Sequence, residues 1–121
     1  MKHILVVEDH EVQASLLRFS LNAQGYEVTT VESAEDALKI LQEETHIDLI
    51  TLDINLTGMS GTQFLAQLRK DPRYKEIPVI IITALRQEHY VNETRALGVK
   101  DYLVKPIVFA EFTALLEEYL T

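Results

Sequence analysis
Apolar residues along this chain fall into two alternating kinds of segment, short runs and helical stripes. Ile4-Leu5-Val6-Val7, the stretch Asp48 to Leu52, and Val79-Ile80-Ile81-Ile82-Thr83 behind Pro78 are near-continuous runs, as strands covered on both faces require. Pro78 opens its strand, where a missing N–H is tolerated. Tyr26 to Val31 instead alternates and is rich in β-branched residues, and Asp101-Tyr102-Leu103-Val104 is short and partly polar. Helical spacing separates these runs. Val12, Leu16, Phe19 and Ala23 recur at a helical period in Glu11 to about Gln24, and Gly25 reads as a stop. Ser33-Ala34-Glu35-Asp36 resembles a capping box with Asp in place of Glu, followed by Ala37, Leu38 and Leu41 on the face of Ala34. Ser60-Gly61-Thr62-Gln63 caps a helix carrying Phe64, Leu65 and Leu68, which Asp71-Pro72 ends. Gln87 to Leu97 has the weakest stripe, Tyr90, Thr94 and Leu97, and is closed by Gly98. Val108, Phe112, Leu115, Leu116 and Tyr119 mark the last helix.

Strand and helix therefore alternate five times, which predicts βαβ units: an α/β fold with helices on both faces of a five-stranded parallel sheet. The alternating second strand and the half-polar fifth belong at the edges. The order 2-1-3-4-5 follows, a doubly wound, flavodoxin-like sheet whose switch point lies between strands one and three. A dinucleotide site is not expected, because the turn Glu8-Asp9-His10-Glu11 lacks the glycines a pyrophosphate needs.

Composition narrows the picture. The 121 residues suit one domain spanning 1–121, and 47% hydrophobic content is that of a globular chain. No apolar run approaches the ~20 residues that cross a bilayer, and no secretory signal is expected from Met1-Lys2-His3-Ile4, which runs straight into a strand-like stretch. Cysteine is absent, which removes disulfides, thiolate metal sites and thiol nucleophiles. A cytoplasmic location is expected. The net charge of −8 argues against direct nucleic-acid binding, since phosphates would repel the chain.

Ligands of open parallel sheets sit beyond the carboxyl ends of the strands at the switch point. There this chain places Glu8 and Asp9 after strand one, Asp53 after strand three, Thr83 at the end of strand four and Lys105-Pro106 after strand five. Singly, each has an ordinary reading: an N-cap, an Asx turn, a capping hydroxyl, a solvated charge. Together they form a cluster. Like-charged carboxylates ~4 Å apart repel by roughly 4 kcal/mol per pair at an effective dielectric of ~20. A cation among them, or raised pKa values, must relieve this. All-oxygen ligands favour a hard ion, Mg²⁺ first, with Lys105 offsetting further charge. His3, His10, His46 and His89 have no metal-ligand spacing and read as surface residues, although His10 adjoins the acidic pair.

Four segments in register then resemble one family: Val6-Val7-Glu8-Asp9, Asp53-Ile54-Asn55-Leu56 leading into Gly58-Met59-Ser60-Gly61, Ile81-Ile82-Thr83-Ala84, and Asp101-Tyr102-Leu103-Val104-Lys105-Pro106. The chain resembles the receiver domains of two-component response regulators over nearly its whole length. The resemblance implies that Asp53 accepts a phosphoryl group from a histidine kinase or phosphotransfer protein. Glu8, Asp9, Asp53 and the backbone carbonyl of Asn55 would hold Mg²⁺, or Mn²⁺ in its place. Thr83 and Lys105 would bind the phosphoryl oxygens, Tyr102 would be the aromatic that changes rotamer with Thr83, and the bond before Pro106 would be cis. The face built from Gln87 to Thr121 would change for a downstream protein, for an output domain in a longer protein, or for a phosphorylation-dependent homodimer. Two features depart from the family. Thr57 stands where many members have Pro, leaving that loop less constrained, and Asn55 and Leu85 occupy positions that tune phosphoryl lifetime.

Two other readings of the same residues are weaker. Asp53-Ile54-Asn55-Leu56-Thr57 resembles the DxDxT signature of aspartyl-phosphate phosphohydrolases, but Asn55 cannot act as their general acid. A phosphorylation-independent binding module would have no use for the retained acids, Thr83 and Lys105. Enzymatic turnover beyond self-phosphorylation and self-dephosphorylation is therefore not expected.

Overall fold
The computed structural model describes residues 1–43 and 46–121. Five strands and five helices alternate: β1 His3–Val7, α1 Glu11–Ala23, β2 Glu27–Val31, α2 Ala34–Glu43, β3 Leu49–Leu52, α3 Gly61–Lys70, β4 Val79–Thr83, α4 Glu88–Ala96, β5 Asp101–Val104 and α5 Phe109–Leu120. All strand pairs are parallel and the order is β2-β1-β3-β4-β5. The flavodoxin-like topology expected from the strand types is the one observed. β1, β3 and β4 are buried along their whole length, whereas the edge strands β2 and β5 are only partly covered.

The two-residue period of the strands sorts their side chains into two cores. Leu5, Val7, Ile50, Leu52 and Ile81 pack with Ala34, Ala37 and Leu41 of α2 and Phe64, Leu65 and Leu68 of α3. Ile4, Val6, Leu49, Ile80 and Ile82 point the other way and pack with Leu17 and Leu21 of α1 and Phe112 and Leu116 of α5. Each fully buried Leu or Ile contributes roughly 1.5–3 kcal/mol. A run with no polar gaps is thus the natural composition for a strand serving both layers.

The helix termini follow local chemistry. The Ser60 hydroxyl accepts from the Gln63 N–H, and the Gln63 side chain accepts in return from the Ser60 N–H. Ser33 Oγ accepts from the Asp36 N–H at 3.0 Å. Among the residues of α4, only Thr94 is buried, and its hydroxyl donates back to the carbonyls of Tyr90 and Val91. This helix therefore holds to the sheet through little more than the partly buried Tyr90 and Leu97 beside it.

The α1 stripe needs correction. Val12, Leu16 and Phe19 are 72%, 59% and 76% exposed, and Ala23 is exposed too, while Leu17 and Leu21 form the buried face. Leu17 lies one residue, hence ~100°, around from Leu16. Apolar residues surround α1 on most sides, so the period alone cannot choose the face. Val108 likewise caps α5 and is exposed rather than lining it. His3 is buried, not on the surface, with Nε2 2.7 Å from Thr29 Oγ1, whereas His10, His46 and His89 are exposed.

Candidate functional site
The strand register decides what meets at the carboxyl rim. Val7 pairs with Leu52, Leu52 with Ile81, and Thr83 with Val104. The residues just past these pairs remain tied to the neighbouring strand. The Glu8 N–H donates to the Val31 carbonyl at 3.0 Å, that of Asp53 to Val7 at 3.1 Å, and that of Lys105 to Thr83 at 2.8 Å. Side chains from four strand ends thereby converge.

Asp53 is 3% exposed. Its Oδ1 accepts from the Thr83 hydroxyl at 2.8 Å and from the Asn55 N–H at 2.9 Å. Its Oδ2 accepts from Lys105 Nζ at 2.9 Å. The same ammonium donates to Glu8 Oε1 at 2.6 Å. Glu8 is equally buried, and its Oε2 accepts from the His10 N–H at 3.1 Å. Asp9 completes the acidic set; its Oδ1 is buried and has no hydrogen-bond partner. One carboxylate oxygen each from Glu8, Asp9 and Asp53 and a ring nitrogen of His10 lie within 4.8 Å of one another.

The electrostatics follow from this packing. Burial, the largest single influence, presses the Lys105 ammonium toward release of its proton. Hydrogen bonds and charge from Asp53 and Glu8 outweigh it, and the net shift is upward. Lys105 is therefore a firmly protonated counter-ion for two buried carboxylates. The Tyr102 phenol is also pushed up, first by burial, then by the negative charges of Asp53 and Tyr90 in their ionised forms.

The loop from Asp53 to Ser60 is anchored without a proline. The Leu56 and Gly61 N–H groups both donate to the Ile54 carbonyl, and the Met59 N–H donates to Glu35 Oε2 at 3.1 Å. Gly58 adopts φ +81°, which a side chain would oppose. Gly61 is constrained differently. A Cβ there would lie 2.5 Å from the Asp53 carbonyl oxygen and 2.6 Å from Ile54 Cα. The first turn of α3 thus presses directly on the backbone of the acceptor segment. The local sequence pattern marks Gly61 only as part of a cap, and neither this contact nor the Glu35 brace is visible in it. A Gly opening a helix just past a strand-end Asp was the available signal.

All of the residues singled out from sequence lie at this rim or beside it. Glu8, Asp9, Asp53, Thr83 and Lys105 meet directly, and Asn55 joins through its backbone. Tyr102 stands back from them, its hydroxyl donating to the Leu85 carbonyl at 2.7 Å. The Lys105–Pro106 peptide is cis. A cleft of about 500 Å³ adjoins Glu8 and Lys105, with Leu16, Leu17, Ile107 and Phe109 in its wall, so the charged site has one apolar flank.

A hydroxyl, an ammonium and three acids gathered at the switch point of a parallel sheet make a charged binding site, and comparison with known proteins says to which family such a chain belongs. The family model described as the response regulator receiver domain matches residues 4–117, and this chain belongs to that family. It is 38% identical over 117 residues to the phosphate regulon transcriptional regulatory protein PhoB of Rhizobium meliloti (strain 1021), covering 97% of this chain and 51% of that protein. It is 34% identical over 119 residues to the polar-differentiation response regulator DivK of Brucella ovis, covering 98% and 96%. The chain thus spans about half of PhoB and nearly all of DivK. Among solved structures, response regulator TrrA of Thermotoga maritima, in complex with Mg²⁺ and BeF, superposes with a TM-score of 0.85 at 34% identity, covering 99% of this chain and 100% of that one. No helix among the described residues is long and apolar enough to cross a membrane.

Proposed function
We propose that residues 1–121 act as one phosphoacceptor switch in a two-component or phosphorelay pathway, with Asp53 as the acceptor. The observation that carries this reading is the state of the Asp53 carboxylate. It is buried, with a hydroxyl on one oxygen and an ammonium on the other, beside two further acids. A purely structural aspartate has no need of that company.

Transfer needs a nucleophile in position and neutralisation of the charge on the phosphoryl oxygens. The donor is a phosphohistidine of a histidine kinase or phosphotransfer protein. An Asp53 oxygen bonds to phosphorus as the P–N bond breaks; the electron pair returns to the imidazole nitrogen, which takes a proton from solvent. The product is an acyl phosphate on Asp53. Thr83 and Lys105, which now donate to the Asp53 oxygens, are the donors that serve the phosphoryl oxygens. Glu8, Asp9, Asp53 and the Asn55 carbonyl would hold Mg²⁺, with Mn²⁺ able to take its place. The orphaned Asp9 Oδ1 and the oxygen-rich donor set fit a divalent ion. When bound, the ion neutralises charge on the phosphoryl oxygens. The chain's own chemistry is limited to its phosphorylation and dephosphorylation.

The response runs through Thr83. Drawn toward the phosphoryl group, its hydroxyl leaves Asp53 Oδ1, and Tyr102 moves into the space. The face from Gln87 to Thr121 then changes for a downstream protein, an output domain or a second copy. The thin attachment of α4 supports this, since a helix with one buried residue is readily repositioned. Acetyl phosphate with Mg²⁺ should label the protein one-to-one, and Asp53→Asn should abolish labelling. Absence of labelling would leave a binding module, and catalytic release of phosphate would leave a hydrolase.

A further inference from the structure
We infer that His10 is a nitrogen donor to the divalent-ion site, and that it turns the site's preference away from Mg²⁺ toward ions that accept imidazole. The inference rests on the reading that Glu8, Asp9 and Asp53 hold such an ion. His10 is the N-cap of α1, with extended backbone (φ −87°, ψ 109°), and its side chain makes no capping hydrogen bond. The ring is therefore free of the helix and turned back over the acids. Nδ1 lies 3.1 Å from Glu8 Oε2 and 3.1 Å from Asp9 Oδ1.

Those separations are informative. Neighbouring ligands on an octahedral ion bound at ~2.1 Å lie about 3.0 Å apart. Nδ1 thus already stands at that spacing from both oxygens, and a carboxylate oxygen of Asp53 lies within 4.8 Å of the set. The approach of Nδ1 to Asp9 is not aligned as a hydrogen bond, and the Asp9 oxygen remains unpartnered. A hydrogen bond between Nδ1 and Glu8 Oε2 turns the ring toward the acids, but it does not account for the equally close approach of Nδ1 to Asp9 Oδ1. A shared ligand does.

Mg²⁺ prefers oxygen and retains its water, so an imidazole adds little to its binding. Affinity for mixed nitrogen and oxygen sites rises from Mn²⁺ to Ni²⁺, and imidazole suits the latter. Replacing His10 should accordingly separate the two kinds of ion. Its side chain is 61% exposed, so truncation opens no cavity in the core.

Calorimetric titration of the full chain with Ni²⁺ and, separately, Mg²⁺ tests this. The His46→Ala background is used throughout, because His46 Nε2 lies 2.6 Å from Asp48 Oδ1 and offers a second nitrogen–carboxylate pair. His10→Ala should weaken Ni²⁺ binding by about tenfold or more and leave Mg²⁺ within about twofold. Pulsed electron paramagnetic resonance of the Mn²⁺-loaded protein should show ¹⁴N modulation that His10→Ala removes. An unchanged Ni²⁺-to-Mg²⁺ ratio, or no nitrogen modulation, would overturn the role of His10 while leaving the oxygen site intact. Failure of both ions to bind, with Asp9→Asn silent, would instead remove the divalent-ion reading and this inference together.

Discussion

Tyr102 and Leu85 are joined across the last two strands of the sheet: the phenol of one donates to the backbone carbonyl of the other at 2.7 Å. Leu85 lies two residues beyond Thr83, in the segment that leads into α4. Burial and the nearby Asp53 charge raise the phenol's pKa, so it stays a donor at neutral pH. The partly buried aromatic on the edge strand is thereby tied to the stretch that follows the hydroxyl on Asp53.

Tyr102→Phe removes that one hydrogen bond and little else. The expected cost is about 1 kcal/mol. Amide exchange from Leu85 to Ala96 should quicken more than in β1 or β3. Uniform acceleration across the sheet would show that the bond has no local role.

Asp9 has an unpartnered oxygen in an acidic cluster, so neutralising it should help the metal-free protein. Asp9→Asn is expected to raise the melting temperature in chelator by about 3–6 °C, on the order of 1 kcal/mol for a domain of this size. Added Mg²⁺ should stabilise the parent and not the variant. Calorimetric scans with and without Mg²⁺ read both effects, and an unchanged or lower apo value would refute the repulsion argument. Asp53→Asn is a less clean probe, because it also removes a partner of Lys105.

Lys105 makes the opposite prediction. Lys105→Met leaves Glu8 and Asp53 buried without their cation, at a cost of about 3–5 kcal/mol near neutral pH. The ammonium's pKa is higher in the folded than in the unfolded chain. Its stabilisation is therefore complete below lysine's ordinary value and is lost as pH rises through the folded-state value. Denaturant unfolding from about pH 7 to about pH 12 should show the gap between parent and variant closing only at the alkaline end. A gap independent of pH would mean that packing, not charge, accounts for it.

Gly61→Ala tests the contact behind the acceptor. The methyl group would meet two backbone atoms under 3 Å away, which no rotamer change can relieve. A loss of about 1–3 kcal/mol is expected despite the better helix propensity of Ala. Labelling by acetyl phosphate should slow in samples that remain folded. Full labelling at the parent rate would show that α3 can retreat without disturbing Asp53.

The legible parts were those governed by short-range rules. Three near-continuous apolar runs, one alternating run and one half-polar run sufficed to order the sheet, because burial on two faces leaves a compositional mark. Glu8, Asp9, Asp53, Thr83 and Lys105 could be brought together because strand ends share a rim. Facing was less legible. α1 carries Val12, Leu16, Leu17, Phe19 and Leu21, apolar residues on more than one side, and only the sheet's position selects Leu17 and Leu21. His3 was hidden for a related reason: its partner Thr29 belongs to another strand. The Gly61 contact and the bridging of Glu8 and Asp53 by one ammonium are distances between remote segments, which no local pattern records.

The backbone bonds that tie Glu8, Asp53 and Lys105 each to the adjoining strand also have a practical consequence. The rim behaves as a ruler whose divisions are the ~4.8 Å pitch between strands. The spacing of positions 8, 53, 83 and 105 is thus set by the main chain, independently of which side chains stand there.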